Sequence, residues 1–120
     1  MNIYQENVLD HYKNPRNFGK LQNPDIVTRE SNVLCGDEIE FHLKLKDGKI
    51  VDLKFNGPGC AISRASASML GEFIKGKTIE EVKKIKEEDQ TGLIGIEINP
   101  VRMKCAMLSL KTLKNGIKKL

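Results

Sequence analysis

Two alternating segments constrain this chain more than any other feature. Ile39, Phe41, Leu43 and Leu45 alternate with Glu38, Glu40, His42 and Lys44, and Val51, Leu53 and Phe55 alternate with Asp52, Lys54 and Asn56. A period of two, with one apolar and one polar side, is the pattern of a half-buried strand. Asp47-Gly48 lies between the two runs and marks a turn, so together they predict an antiparallel hairpin. Parity constrains that turn. A two-residue loop pairs residue 45 with residue 50 and sets one strand's apolar side against the other's polar side. A three-residue loop, Lys46-Asp47-Gly48, pairs 45 with 49, 43 with 51 and 41 with 53 and aligns the apolar faces. Two strands alone are marginal. A third is expected from about Ile26 to Val33, and helices must cover the apolar face.

The helices can be read around this hairpin. Tyr4, Val8 and Tyr12 recur at helical spacing, so a first helix is expected over Ile3 to Tyr12, ending before Asn14-Pro15. Residues 14–24 are rich in Asn, Gly and Pro and read as loop. After Gly57-Pro58-Gly59, the residues Ala61, Ala65, Met69 and Phe73 define a buried helix that stops at Gly76. Its Ser63, Ser66 and Ser68 serve close packing or capping. Thr78-Ile79-Glu80-Glu81 matches a capping box. Residues 90–100 read as loop or short helix, and Pro100 opens the last helix. Met103, Met107, Leu110, Leu113 and Ile117 form that helix's apolar stripe, with Cys105 off it. At 120 residues the chain suits one domain, over 1–120.

Composition excludes several roles. Lys and Arg total 20 against 16 Asp and Glu, a net charge of +4, with no helix-turn-helix, zinc-finger spacing or aromatic interleaving to suggest a nucleic-acid partner. No apolar run approaches the roughly 20 residues that cross a bilayer, and the start has no signal-peptide pattern, so no membrane association is expected and the location expected is cytoplasmic. No Cys-x-x-Cys pair supports a thiol oxidoreductase. His11 and His42 are far apart and give hydrolase chemistry little support. His42 reads as the polar side of a strand, and His11 as either a surface helix residue or a partner contact.

The three cysteines carry the chemistry. Cys35 stands in Cys35-Gly36-Asp37, a turn leading into the first clear strand. Cys60 follows a Gly-Pro-Gly bend at the mouth of a helix, where free backbone amides favour a thiolate. Cys105 lies near the start of the last helix, after Lys104. Three thiolates and the carboxylate of Asp37 make four ligands suited to iron or zinc. Free cysteine also behaves as a small buried hydrophobe, and that reading stays open, for Cys105 above all. Asp37 also suits a turn cap, and Lys104 either a surface charge or a counter-charge to thiolates.

These motifs resemble the IscU/SufU type of iron–sulfur scaffold, the family that includes the N-terminal domain of NifU. The resemblance runs through Asp10-His11-Tyr12-Lys13-Asn14-Pro15, Val33-Leu34-Cys35-Gly36-Asp37, Asn56-Gly57-Pro58-Gly59-Cys60-Ala61 and Asn99-Pro100-Val101-Arg102-Met103-Lys104-Cys105. It implies a SufE/NifU-like α+β fold, an antiparallel three-stranded sheet packed against helices, and transient assembly of a [2Fe–2S] cluster from iron and from sulfur delivered by a cysteine desulfurase. Transfer to apo iron–sulfur acceptor proteins would follow, with no independent turnover and a monomeric or weakly homo-oligomeric state. It puts Cys35, Asp37, Cys60 and Cys105 at the cofactor and metal site. Cys105 is the first and Cys35 the second candidate for the persulfide acceptor, with Lys104 accessory. Lys104 is more typical of SufU-type members, which hold zinc and accept sulfur, whereas the chain length is IscU-like. A zinc-binding sulfur acceptor that stimulates the desulfurase is thus the main alternative, and a structural zinc domain the second. Ile98-Asn99-Pro100-Val101-Arg102 departs from the Leu-Pro-Pro-Val-Lys chaperone signal of IscU and argues against recognition by that chaperone.

Overall fold

The computed structural model describes residues 2–118 and residue 120. Helix α1 (Ile3–Lys13) precedes three strands, β1 (Ile26–Asn32), β2 (Asp37–Lys46) and β3 (Lys49–Asn56). Four helices follow: α2 (Ala61–Ile74), α3 (Ile79–Lys83), α4 (Glu87–Ile94) and α5 (Pro100–Ile117). The strands form one antiparallel sheet in the order β1-β2-β3, as the sequence predicts.

The hairpin turn differs from the expected one. Lys46 pairs with Lys49 across a two-residue loop, Asp47-Gly48. Both loop residues have positive φ, 53° and 75°, the conformation whose twist matches the flanking strands. Parity is restored by a bulge rather than by a longer loop. Leu45 faces Ile50 and Lys44 faces Asp52, which leaves Val51 as the extra residue. Ile50 is therefore fully buried, Val51 is turned out, and Leu43 and Phe41 face Leu53 and Phe55. The apolar faces align, but through Ile50 instead of Val51.

That face carries the main core. Ile39, Phe41, Leu43, Ile50, Leu53 and Phe55 pack with Leu70 and Ile74 of α2 and with Leu110, Leu113 and Ile117 of α5. Each such side chain contributes roughly 1.5–3 kcal/mol by leaving water. Helix α5 packs against both the sheet and α2, so its buried surface is broader than one stripe. Cys105, Ala106, Ser109 and Thr112 are buried along with Leu110 and Leu113, whereas Met103 and Met107 are only half-buried. Helix α2 is buried almost all round, except at Glu72 and at Phe73, which turns out beneath the Lys77 ammonium, 4.5 Å from its ring centre. A smaller core joins Val8 of α1, Ala65 and Met69 of α2, Ile94 of α4 and Ala106 of α5.

Local caps fix the helix ends, at Thr78 and Pro100 as the sequence predicts. Thr78 and Glu81 form a reciprocal capping box. Asn99 caps α5 by accepting from the Arg102 amide at 2.9 Å, with Pro100 at the first helical position. Residues 87–94 settle as helix α4, closed by Gly95 in the left-handed conformation.

The two histidines are structural ties. His42 is buried against the 17–21 loop, its Nδ1 accepting from the Leu21 amide at 3.3 Å and its Nε2 lying 2.8 Å from Glu40. His11 of α1 lies 2.7 Å from Ser68 Oγ on α2, and Ser68 also accepts from the Arg16 amide at 2.9 Å. With that amide donated to Ser68, the hydroxyl proton is free to go to a neutral His11 ring. Partial burial, and then the nearby Arg16 charge, lower the His11 pKa; Asp10 and Glu72 oppose this weakly.

The depressed folded value makes stability pH-dependent. In the unfolded chain His11 titrates near its ordinary value of about 6.5. Below that value the unfolded state binds the extra proton first, so stability falls as the pH drops. Denaturant unfolding between about pH 7 and 5 is expected to show this decline, and His11→Gln to reduce its slope.

Candidate metal and sulfur site

The site is assembled by the two connections that flank β2 and by the start of α5. The β1–β2 connection, residues 33–36, is closed by Asn32, whose carbonyl accepts from the Gly36 amide at 2.8 Å and whose Oδ1 accepts from the Leu34 amide at 3.1 Å. Gly36, with φ +75°, reverses the chain so that Asp37 pairs with Asn32. Cys35 is thereby held at an exposed loop tip beside Val33 and Leu34, which are 88% and 78% exposed.

On the other side of β2, Gly57-Pro58-Gly59 continues past the end of β3 along the start of β2. The Glu38 amide donates to the Pro58 carbonyl at 2.7 Å. Gly57 has φ +125°, and a Cβ there would lie 2.3 Å from the Glu38 carbonyl oxygen, so only glycine permits the approach. This run delivers Cys60, the residue that begins α2, next to Asp37.

Asp37 is 3% exposed and its carboxylate is saturated with donors. Oδ1 accepts from the Cys60 amide at 2.9 Å. Oδ2 accepts from Ser63 Oγ at 2.6 Å and from the Cys35 thiol at 3.1 Å. Burial by itself raises the Asp37 pKa, but the bonds from Ser63, Cys35 and the Cys60 amide outweigh it, and the net shift is downward. The carboxylate also stands at the positive end of α2, where negative charge is stabilised.

Cys35 Sγ lies 3.4 Å from Cys105 Sγ. Ligand atoms of Cys35, Asp37 and Cys105 all lie within 4.8 Å of one another, a spacing that suits one metal ion. Two thiols and a carboxylate are a donor set for iron or zinc. The fourth expected ligand, Cys60, is brought to the same place by its backbone, but its sulfur is outside this set and lies 3.8 Å from Ser63 Oγ. Cys105, expected off the apolar stripe and as the first candidate to accept sulfur, is buried at 4% exposure. The α2–α5 packing that covers it also puts Ser63 Oγ 3.2 Å from its carbonyl oxygen. Burial, and then the neighbouring Cys35 and Asp37 groups, push the Cys105 thiol well up, so it rests neutral. Lys104 is exposed. It lines a groove of about 680 Å³ between the Val33-Leu34 loop and α5, together with Met107, Lys111 and Lys114. Among the described residues, none of Lys104, Lys111 and Lys114 has an ion-pair partner.

Ser63 is the site residue that sequence reasoning assigns to packing or capping rather than to the site. Its position three residues after Cys60 is that of the third residue of the helix, where a side chain can reach back over the helix start. Nothing in the sequence identified Asp37 as its acceptor.

With this geometry in hand, comparison with known proteins gives the class. A family model for the NifU-like N terminal domain matches residues 3–120. The chain therefore belongs to that family, the class of IscU- and SufU-type iron–sulfur assembly proteins. It is 46% identical to the zinc-dependent sulfurtransferase SufU of Bacillus subtilis over 135 positions, covering 98% of this chain and 90% of that protein. It is 37% identical over 134 positions to the iron–sulfur cluster assembly scaffold protein IscU of Thermotoga maritima, covering 98% and 94%. Both alignments are longer than the 120 residues here, so these relatives carry residues that this chain lacks. The crystal structure of the SUF-system protein FiSufU of Fervidobacterium islandicum superimposes with a TM-score of 0.81 at 32% identity, over 93% of this chain and 94% of that one.

Asp37 is expected to support the apoprotein as well as any metal. Asp37→Ala leaves the Cys60 amide and the buried Ser63 hydroxyl without their acceptor and should cost about 1–3 kcal/mol in urea unfolding of the metal-free, reduced protein. Ser63→Ala, which leaves the Cys60 amide bonded, should cost less.

Proposed function

We propose that this chain is an iron–sulfur assembly scaffold. It takes sulfur from a cysteine desulfurase and iron at Cys35, Asp37, Cys60 and Cys105, holds a labile [2Fe–2S] cluster as cargo and passes it to apo acceptor proteins. The observation that carries this reading is the convergence of Cys35, Asp37 and Cys105 within 4.8 Å, with the Cys60 amide bonded to the same carboxylate. Family membership supports the sulfur-donor and acceptor partners. No helix among the described residues is long and apolar enough to cross a membrane.

The residue types divide the work. The acceptor of sulfur must be reachable, and Cys35, at its loop tip, meets that need where buried Cys105 does not. Its thiolate attacks the terminal sulfur of the donor persulfide, with the donor's cysteine as leaving group. Asp37 holds the Cys35 thiol in place and supplies an oxygen donor among sulfurs. One hard ligand makes the set unequal and favours release of the cargo. Lys104 supplies positive charge beside a site that gathers thiolates.

A zinc-holding sulfur acceptor that stimulates the desulfurase is a second reading of the same residues. The 46% identity to a zinc-dependent sulfurtransferase favours it specifically. In that case the two thiols, Asp37 and Cys60 hold the ion, which would keep its ligands deprotonated. A purely structural zinc is disfavoured, because the main core from Ile39 to Ile117 is built without the site.

Anaerobic reconstitution with iron, cysteine and a desulfurase tests the choice. About two irons and two sulfides per site, with a visible band lost on adding an apo-ferredoxin, are expected. Tight zinc and desulfurase stimulation without a transferable cluster would move the assignment to the second reading. Asp37→Ala should lengthen the lifetime of the assembled cluster, and unchanged or faster loss would count against the carboxylate's role. Chelation should lower the melting temperature yet leave the far-ultraviolet circular dichroism of the folded protein intact; loss of that signal would point to a structural metal.

A further inference from the structure

The sequence has no neighbouring cysteine pair, but the fold makes one across α5 and the β1–β2 loop. Cys35 Sγ and Cys105 Sγ are 3.4 Å apart, while the Cys60 sulfur is engaged with Ser63 Oγ instead. A disulfide needs about 2.05 Å between sulfurs. The remaining approach, on the order of 1.4 Å, lies within what the 33–36 loop can supply, since Cys35 is exposed and outside any strand or helix. Cys105 is fixed on α5, with its backbone carbonyl beside Ser63.

This pairing has a consequence for sulfur delivered to Cys35. Persulfide sulfur is not yet sulfide, which an iron–sulfur cluster requires, and some group must reduce it. We propose that Cys105 is that reductant: its sulfur, giving up its proton as it does so, attacks the Cys35 sulfur of a Cys35 persulfide, forms the Cys35–Cys105 disulfide and releases sulfide. The proposal rests on the reading of Cys35 as sulfur acceptor.

The step balances without an outside electron source. A Cys35 persulfide and a Cys105 thiol become one Cys35–Cys105 disulfide and one molecule of hydrogen sulfide. The bond between the two cysteine sulfurs forms and the bond to the terminal sulfur breaks. The terminal sulfur leaves with that electron pair and takes the Cys105 proton. Counted from two thiols and one neutral sulfur atom, each cysteine loses one electron and the sulfur gains two. An external dithiol returns the disulfide to two thiols before another round. Because Cys35 and Cys105 are also the paired sulfur donors of the metal site, sulfide release and metal holding alternate on the same two residues.

The geometry favours this outcome over two others. Attack by Cys105 on the terminal sulfur would only move the persulfide inward, but the contact in the structure is between the two Sγ atoms themselves. Closure of Cys35 on Cys60 would first require the Cys60 sulfur to leave Ser63.

The test uses the full chain, metal-free, reduced and freed of reductant under nitrogen. It is treated with one equivalent of cysteine hydropersulfide, and sulfide is trapped as it forms. The expected product is lighter than the reduced protein by two hydrogens, with the Cys35 and Cys105 peptides joined and close to stoichiometric sulfide. Cys105→Ser and Cys105→Ala, run together because the site is buried and each checked by circular dichroism, should instead retain one extra sulfur on Cys35 and release roughly tenfold less sulfide. A wild-type protein that keeps the extra sulfur on Cys35, or closes its disulfide through Cys60, overturns the reductant role while leaving the acceptor reading intact. Sulfur that never reaches Cys35, with Cys35→Ser behaving as wild type, overturns the acceptor reading and this step with it.

Discussion

A buried carboxylate holds the working end of this molecule together. Asp37 is the first residue of β2, and its two oxygens bond a loop thiol, the amide that begins α2 and a hydroxyl in that helix's first turn. Such a group is costly to bury unless its lone pairs are filled. The local architecture can be seen as the means of filling them. Gly57-Pro58-Gly59 runs beside the start of β2 so that the Cys60 amide points at Oδ1. The four-residue connection after β1 folds back so that Cys35 reaches Oδ2. Binding a metal would withdraw the thiol donor from the carboxylate and give it a cation instead. The residue is thus satisfied in the apoprotein and available to a metal, which lets the site form before anything is bound.

The same arrangement separates the three cysteines by exposure. Cys35 faces solvent, Cys60 is intermediate and Cys105 is buried. Exposure suits capture of sulfur from another protein, while burial keeps a thiol from reacting with anything that does not arrive by way of Cys35. One site therefore contains an entry group and a protected group in contact. Their difference arises from ordinary packing: a hairpin loop has no neighbour above it, whereas the first turns of α5 lie against α2.

Much of this was legible in the residues. Alternation at Ile39–Leu45 and Val51–Phe55 identified the hairpin, Thr78 and Glu81 the start of α3, and Pro100 the start of α5. The three cysteines and Asp37 were identifiable as candidates from their local settings. What the sequence did not reveal depended on contacts between distant elements. The bulge at Val51 was hidden because a two-residue turn and a three-residue turn both satisfy parity when a strand can absorb one extra residue. The burial of Cys105 was hidden because a single-stripe reading assumes one packing partner, and α5 has two. Ser63 was passed over because its acceptor is on a strand 26 positions away.

Sequence and structure meet at the question of what approaches the site. The Val33-Leu34 tip presents two large apolar side chains to solvent directly before the acceptor cysteine, and Val101 at the start of α5 is 84% exposed. Large apolar side chains left exposed together at a loop tip mark an interaction surface. Beside the tip, Lys104, Lys111 and Lys114 add positive charge along α5 that has no ion-pair partner among the described residues. A partner that delivers sulfur must bury that apolar tip to bring its own thiol near Cys35. Under the proposed function, docking and chemistry act on one short segment, residues 33–37, in which Val33 and Leu34 offer the contact, Cys35 takes the sulfur, Gly36 makes the turn and Asp37 anchors the site. A change at Val33 or Leu34 would be felt as a loss of delivery. A change at Asp37 would be felt instead in the stability of the apoprotein and in the release of the cargo, although the first and the last are only four positions apart.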